Sequence, residues 1–284
     1  LRNCLKILFL TALLFLVAGC SEPETLEAPD SVNLSNTVPI ILVHGSGGNE
    51  HTLDEISENL QDRYHFSNEK LEVLISSKGE LSYRGKLTKN AKHPIIAVAF
   101  EDNEAPISDW AKWLRIATDD LEKHFKFKKM DGVGYSNGGL ALSAYVQDNQ
   151  ATPRFQKIIT LGAPFNDLSE EDNAGDANFK NVAHQTAMLK SFLSKKKQNP
   201  RDLEFLSIAG ISDAEHNTDS VVPLQSALSS RLIFDNIYVY MEKIERGEEA
   251  SHQAIFKSAE SIELIHWFLA EYTSPEKSVY QLAK

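Results

Sequence analysis

Five residues near the middle of the chain, Gly134-Tyr135-Ser136-Asn137-Gly138, place a serine between two glycines at the spacing of a nucleophile on a sharp strand-to-helix turn. The serine hydroxyl must point out of the sheet. The turn that achieves this brings the residues two before and two after it into close contact, so only small side chains fit at 134 and 138. The helix that follows aims its positive N-terminal end at the point where negative charge develops when an acyl carbonyl is attacked. The flanking sequence agrees. Residues 130–135 are apolar and strand-like, interrupted by Asp131 and Gly132, while Leu140, Ala141, Leu142, Ala144, Tyr145 and Val146 continue as a helix. An ordinary surface serine in a glycine-rich turn is the alternative.

A serine nucleophile needs a base, an acid to orient that base, and N–H donors for the oxyanion. His252 is the candidate base, lying after the last strand-like run and just before the final helix. His266 falls inside that helix beside Ile265 and Trp267, as a structural histidine would. His44 precedes the serine, His184 lies in a long excursion and His216 on the loop of the candidate acid. Asp219 is the candidate acid, with Asp213 second and Asp235 third. The group Asp213, Glu215, His216 and Asp219 also reads as a metal loop, but it lacks the Asp-x-Asp-x-Asp-Gly spacing of a calcium site. One oxyanion donor is expected from the N–H of Asn137. The other is expected from the glycine-rich loop His44-Gly45-Ser46-Gly47-Gly48, from Ser46 or alternatively Gly47, which leaves His44 a structural role. No Lys-Ser/Thr follows that loop, so it does not read as a nucleotide phosphate cradle.

These side chains need a sheet to hold them. Short apolar runs of the kind that form buried parallel strands occur at 39–43, 71–75, 95–100, 130–135, 158–161, 203–209 and 237–241. Helical patterns alternate with them at 53–60, 109–125, 137–146 and 255–272, and the Trp110, Trp113, Leu114 stripe reads as core. The expected fold is α/β, a mostly parallel central sheet with helices on both faces, in one domain over 38–284. Two stretches break the alternation. Residues 79–92 are polar and read as a hairpin or long loop. Residues 166–200 form a cap-like excursion with one amphipathic helix at 182–193 and a solvated Lys195-Lys196-Lys197 run.

The ends and the charge balance bound the partners. Arg2 and Lys6 precede an apolar run from Ile7 to Val17, too short to span a bilayer, which takes ~20 residues. Leu16-Val17-Ala18-Gly19-Cys20 resembles the lipobox of bacterial lipoproteins. That resemblance implies a signal peptide over 1–19, cleavage before Cys20 and a lipid on its sulfur; a plain secretory signal is the alternative. Residues 20–37 hold Glu22, Glu24, Glu27 and Asp30 with two prolines and read as a flexible tether. Cys4 and Cys20 are the two cysteines, so cleavage leaves no pair for a disulfide. Net charge is −11, becoming −13 once Arg2 and Lys6 are removed, which argues against nucleic acid and against electrostatic binding to anionic lipid. The expected location is therefore extracytoplasmic, on the membrane through a covalent lipid.

Several stretches together resemble the α/β-hydrolases of unknown function described as cell-surface hydrolases. They are residues 41–48 around His44-Gly45-Ser46, 77–81 with Gly85, 93–101, 134–139, Gly162-Ala163-Pro164-Phe165-Asn166, and Asp219-Ser220-Val221-Val222-Pro223. Tyr135 and Asn137 depart from the commonest residues at those positions, but each offers only backbone to the chemistry. The resemblance implies the chain order Ser136, Asp219, His252 as nucleophile, acid and base, an Asp-x-x-Val-Pro turn ending the acid loop, and no metal or organic cofactor. The expected activity is hydrolysis of a carboxylic ester through an acyl-enzyme. Amide cleavage or acyl transfer uses the same parts, and a binding lipoprotein on a hydrolase scaffold is the non-enzymatic rival.

Overall fold

Runs without a polar side chain have two faces to bury, and they become the centre of the sheet. β1 (Ile40–Val43) and β4 (Ile95–Phe100) are buried at every residue. The computed structural model describes residues 28–148, 151–175 and 177–272. Among these, eight strands form one sheet in the order β3-β2-β4-β1-β5-β6-β7-β8. β2 (Lys70–Ile75), β5 (Lys129–Tyr135), β6 (Arg154–Leu161), β7 (Glu204–Ile211) and β8 (Val239–Arg246) run parallel with β1 and β4. β3 (Leu81–Gly85) pairs antiparallel with β2, so the polar stretch expected as a hairpin or loop is a hairpin.

Alternate residues of each strand feed two cores. Ile41, Val43, Val98 and Ile158 pack beneath α2 (Ile107–Phe125) and α3 (Asn137–Val146), together with Trp110, Leu114 and Phe125. Ile40, Leu42, Val133 and Ile208 pack on the other face with Ile56 of α1 (Asp54–Glu58) and Ile262 and Ile265 of the last helix. That helix starts later than its periodicity suggests. The Ser258 side chain caps it by accepting the Ser261 N–H at 3.0 Å, leaving residues before the cap in turns.

Three expectations shift. The helix of the 166–200 excursion, α4 (Ala187–Ser194), is capped by Thr186 and buries Leu189 and Phe192 in the α2–α3 core, where Phe165 meets Phe192 edge-on. It is a layer element rather than a free-standing cap. The last strand runs beyond 241 to Arg246 because its polar residues have buried partners: Glu242 pairs with Arg231 and Glu245 accepts from Ser258 and Ser261. The folded chain begins before Val38, with Val32 and Leu34 N–H groups bonded to the His124 and Phe125 carbonyls and Leu34 buried. The expected signal peptide, Cys20 and the tether up to residue 27 lie outside the described residues.

Candidate active site

The loops that follow β1, β5, β7 and β8 emerge at one edge of the sheet, the carboxyl ends of its parallel strands, where α/β sheets hold their ligands. Ser136 follows β5 with φ 52° and ψ −125°, a conformation that costs a non-glycine residue energy and persists only where its surroundings enforce it. The enforcement is visible. Its N–H donates to the Leu161 carbonyl at 2.8 Å, and α3 starts at the next residue. A Cβ at Gly134 would lie 2.5 Å from the Gly139 nitrogen, and one at Gly138 would lie 2.3 Å from the Val43 carbonyl oxygen. Strand, turn and helix can close this tightly only with glycine at both places.

Asp219 lies in the loop after β7, and the apolar residues around it hold it down. Val222 and Leu224 pack with Ala209 and Ile211 of β7 in a small separate cluster. Thr218 Oγ donates to the Val222 carbonyl at 3.0 Å. The Asp219 carboxylate is 1% exposed, and its Oδ1 accepts the N–H groups of Val221 at 3.0 Å and Val222 at 2.6 Å. Oδ2 is thereby left for His252 Nδ1, at 2.7 Å, while the His252 N–H donates to the Asp219 carbonyl, also at 2.7 Å. With Nδ1–H committed to the carboxylate, Nε2 carries the lone pair, and it stands 3.1 Å from Ser136 Oγ. The Tyr135 ring packs beside the imidazole, with centroids 4.9 Å apart. Such an arrangement can take a proton from the serine hydroxyl and return it to a leaving group, with the imidazolium held by a buried carboxylate.

The structure brings Ser136, Asp219 and His252 together, and it places their competitors elsewhere. Asp213 pairs with His216 at 2.7 Å on the surface, and Asp235 pairs with Lys196 at 2.5 Å. Asp219 faces His252, so the supposed metal loop is not assembled. His266 stacks on Tyr64, and His184 is exposed. His44 is buried against Phe100 and Trp110. Its Nδ1–H donates to the Gly45 carbonyl and its Nε2 accepts the Phe100 N–H, so it is a neutral structural histidine whose pKa burial lowers. At the far end of the sheet, Glu50, His51 and Glu72 offer ligand atoms within 4.8 Å of one another, but Lys70 and Arg84 already pair with Glu72 at 3.0 and 3.1 Å.

Of the expected oxyanion donors, the Gly47 N–H is occupied by the Asn103 carbonyl at 3.1 Å. The N–H groups of Ser46 and Asn137 have no acceptor among the described residues, and their side chains meet, Asn137 Nδ2 donating to Ser46 Oγ at 2.8 Å. Two residues with no role in the sequence reading prove essential to the geometry. A Cβ at Gly162 would lie 2.9 Å from Asp219 Oδ2 and 3.0 Å from His252 Nδ1, on a backbone with φ +54°. One at Gly210 would lie 1.9 Å from the Ala250 carbonyl oxygen, in the loop leading to His252. Gly162 opens one of the stretches that carry the family resemblance, whereas Gly210 shows in the sequence only as a glycine near the end of a strand.

An elbow serine, an acid and a histidine delivered in that order to one edge of a parallel sheet define the α/β-hydrolase class. The chain belongs to the family described as alpha/beta hydrolase of unknown function (DUF915), which it matches over residues 27–272. The product of gene lin2722 from Listeria innocua superposes with a TM-score of 0.83 at 42% identity, covering 87% of this chain and 99% of that one. A protein described as a candidate cell surface hydrolase from Lactobacillus plantarum superposes at 0.69 and 23% identity, covering 84% and 94%. The mature Bacillus licheniformis lipase BlEst2 shares the fold at 0.53 and 18% identity, covering 85% and 95%. Among the curated proteins none matches the chain.

Proposed function

We propose that this protein is a serine hydrolase that cleaves carboxylic esters through an acyl-enzyme. The observation that carries the reading is the hydrogen-bonded run from Ser136 Oγ through His252 to Asp219, at 3.1 and 2.7 Å. Ser136 attacks the ester carbonyl while His252 Nε2 takes its proton. The tetrahedral oxyanion is held by the N–H groups of Ser46 and Asn137, and collapse expels the alcohol with the proton from His252. Water repeats the sequence and releases the acid. Asp219 keeps the imidazole in the required tautomer and stabilises its charged form. No step calls for a metal or organic cofactor.

We further propose that the enzyme works outside the cytoplasm, anchored through a lipid on Cys20. The lipobox-like Leu16-Val17-Ala18-Gly19-Cys20 supports this, as does the cell-surface description of the Lactobacillus plantarum relative. Among the described residues no helix is long and apolar enough to cross a membrane.

Fluorophosphonate labelling of the full chain, read by intact mass, tests the mechanism. A single adduct is expected, absent in Ser136→Ala, with p-nitrophenyl ester hydrolysis lost in the same variant. Full esterase activity in Ser136→Ala would sink the mechanism. An unlabelled, folded wild type would favour the binding-scaffold alternative. Hydrolysis of anilides faster than esters would move the substrate class to amides. The same mass spectrum reports the anchor, since a mature chain beginning at Cys20 carries the added mass of its acyl groups.

A further inference from the structure

The contact between Ser46 and Asn137 joins the two residues whose N–H groups stand free beside Ser136. A serine hydroxyl has one proton and two lone pairs. Asn137 Nδ2 occupies a lone pair of Ser46 Oγ at 2.8 Å, and the hydroxyl proton has no acceptor among the described residues. We propose that Ser46 is a catalytic residue through this hydroxyl as well as its backbone: Ser46 Oγ–H is a third donor to the oxyanion, with Asn137 as the residue that orients it. The proposal rests on the reading of Ser136 as nucleophile.

The surroundings prepare the group for that role. Gly45 packs directly against the nucleophile, where an added Cβ would lie 2.9 Å from Ser136 Cβ, so the next residue stands at the mouth of the site. The loop is fixed on its far side. The Gly48 N–H donates to the Gly45 carbonyl and the Gly47 N–H to the Asn103 carbonyl, both at 3.1 Å, and Asn103 Nδ2 returns a bond to the Gly48 carbonyl at 2.9 Å. On its near side the loop is tied to α3 by the amide of Asn137. That bond sets the spacing between the two backbone donors. It also turns the hydroxyl proton away from the amide, because an NH₂ group cannot accept it. Ser46 Oγ and Ser46 N branch from one Cα, and Asn137 N and Nδ2 belong to one residue. The Ser46 N–H, the Ser46 Oγ–H and the Asn137 N–H are left without an acceptor among the described residues, on the loop and the turn that flank Ser136, and on this proposal they receive the oxygen of the attacked carbonyl. Donors already held in place when charge develops need no reorganisation, which is where such groups gain their effect.

Steady-state kinetics of the purified full chain on a p-nitrophenyl ester test this. Removing one oxyanion donor costs roughly 100- to 1,000-fold in kcat at a water-excluded site. Ser46 is exposed, so the expected loss for Ser46→Ala is about 10- to 100-fold in kcat, with KM and thermal midpoint near those of the wild type. Ser46→Thr keeps a hydroxyl and should retain most of the activity. Asn137→Leu keeps both backbone donors but frees the hydroxyl to rotate. It should lower kcat in the wild type and add little on the Ser46→Ala background. Ser46→Ala turning over at the wild-type rate would overturn the proposal. Equal losses from Ser46→Ala and Ser46→Thr would also overturn it, by assigning the effect to the loop. If Ser136→Ala hydrolyses the ester as fast as wild type, the hydrolase reading itself has failed. A Ser136-dependent enzyme indifferent to Ser46→Ala loses only the third donor.

Discussion

Asp131 should make the protein less stable as pH rises from 5 to 8, and Asp131→Asn should abolish that trend. The residue sits on β5 at the end remote from Ser136, 4% exposed, with its Oδ1 lacking any hydrogen-bond partner. Burial pushes its pKa up from 3.8 to about 7. The nearby Lys157 charge and hydrogen bonds from the Gln156 side chain and the Lys157 N–H pull the other way, but burial outweighs them, and the Lys157 ammonium bonds to the carbonyls of Phe268, Leu269 and Tyr272 at 2.7, 3.2 and 3.3 Å. Between the unfolded and folded values the native state keeps a proton that the unfolded chain has released. Stability contributed by the neutral acid is whole below about 4, falls as pH rises through the window, and levels off above about 7. Three pKa units correspond to about 4 kcal/mol in full, of which about 2.5 kcal/mol falls between pH 5 and pH 8. The asparagine amide mimics the neutral acid at every pH. Urea unfolding of both proteins at the two pH values supplies the test, because groups not coupled to Asp131 cancel in the difference, leaving Asp131 and its neighbours Lys157 and Glu204. Asp131→Asn should gain on the wild type by about 2–3 kcal/mol in going from pH 5 to pH 8. A difference that is flat with pH, or of the opposite sign, would refute the assignment of a neutral buried acid at this position.

Gly162→Ala places a methyl group against Asp219 Oδ2 and His252 Nδ1 on a left-handed backbone, so it should lower kcat/KM by about 100-fold or more while leaving the circular dichroism spectrum unchanged. Activity within a few-fold of wild type would show that the acid–base pair tolerates displacement. Arg231→Ala strands Glu242, which Arg231 Nη2 meets at 2.5 Å and Tyr240 also contacts. It should cost about 3 kcal/mol in urea unfolding, and a loss under about 1 kcal/mol would mean the pair is solvated.

The fold was legible where the sequence offers contrast. Ile40–Val43 and Ile95–Phe100 are apolar throughout and form central strands, and Trp110, Leu114 and Phe125 recur at helical spacing on the buried side of α2. Legibility fails where a polar residue is buried with a partner distant in sequence. Glu242 and Glu245 read as the end of a strand, yet they continue β8 because Arg231, Ser258 and Ser261 satisfy them inside the protein. The excursion helix read as a cap because an insertion's packing partners cannot be seen locally. Leu189 and Phe192 face Phe165 and the main core rather than the mouth of the site.

The site shows the same division between residues that announce their chemistry and residues that only make room for it. Ser136 stands out because its turn demands glycine on both sides within five positions. Asp219 and His252 are the sequence's own candidates by chain order and by their place after the last strands, yet Asp213 stands beside them as a rival, and it pairs with His216 three residues on in an exposed loop. What separates the pairs is burial and reach. Asp219 is closed off by two backbone N–H bonds and by the His252 main chain, and β7 and β8 carry the pair to the edge where β5 ends. Gly162 and Gly210 make that meeting possible by having no side chain at all. Gly134 and Gly138 are legible because a serine stands at fixed spacing between them; Gly162 and Gly210 flank no such chemical group, so their part in the meeting of acid and base becomes visible only once the distances around them are known.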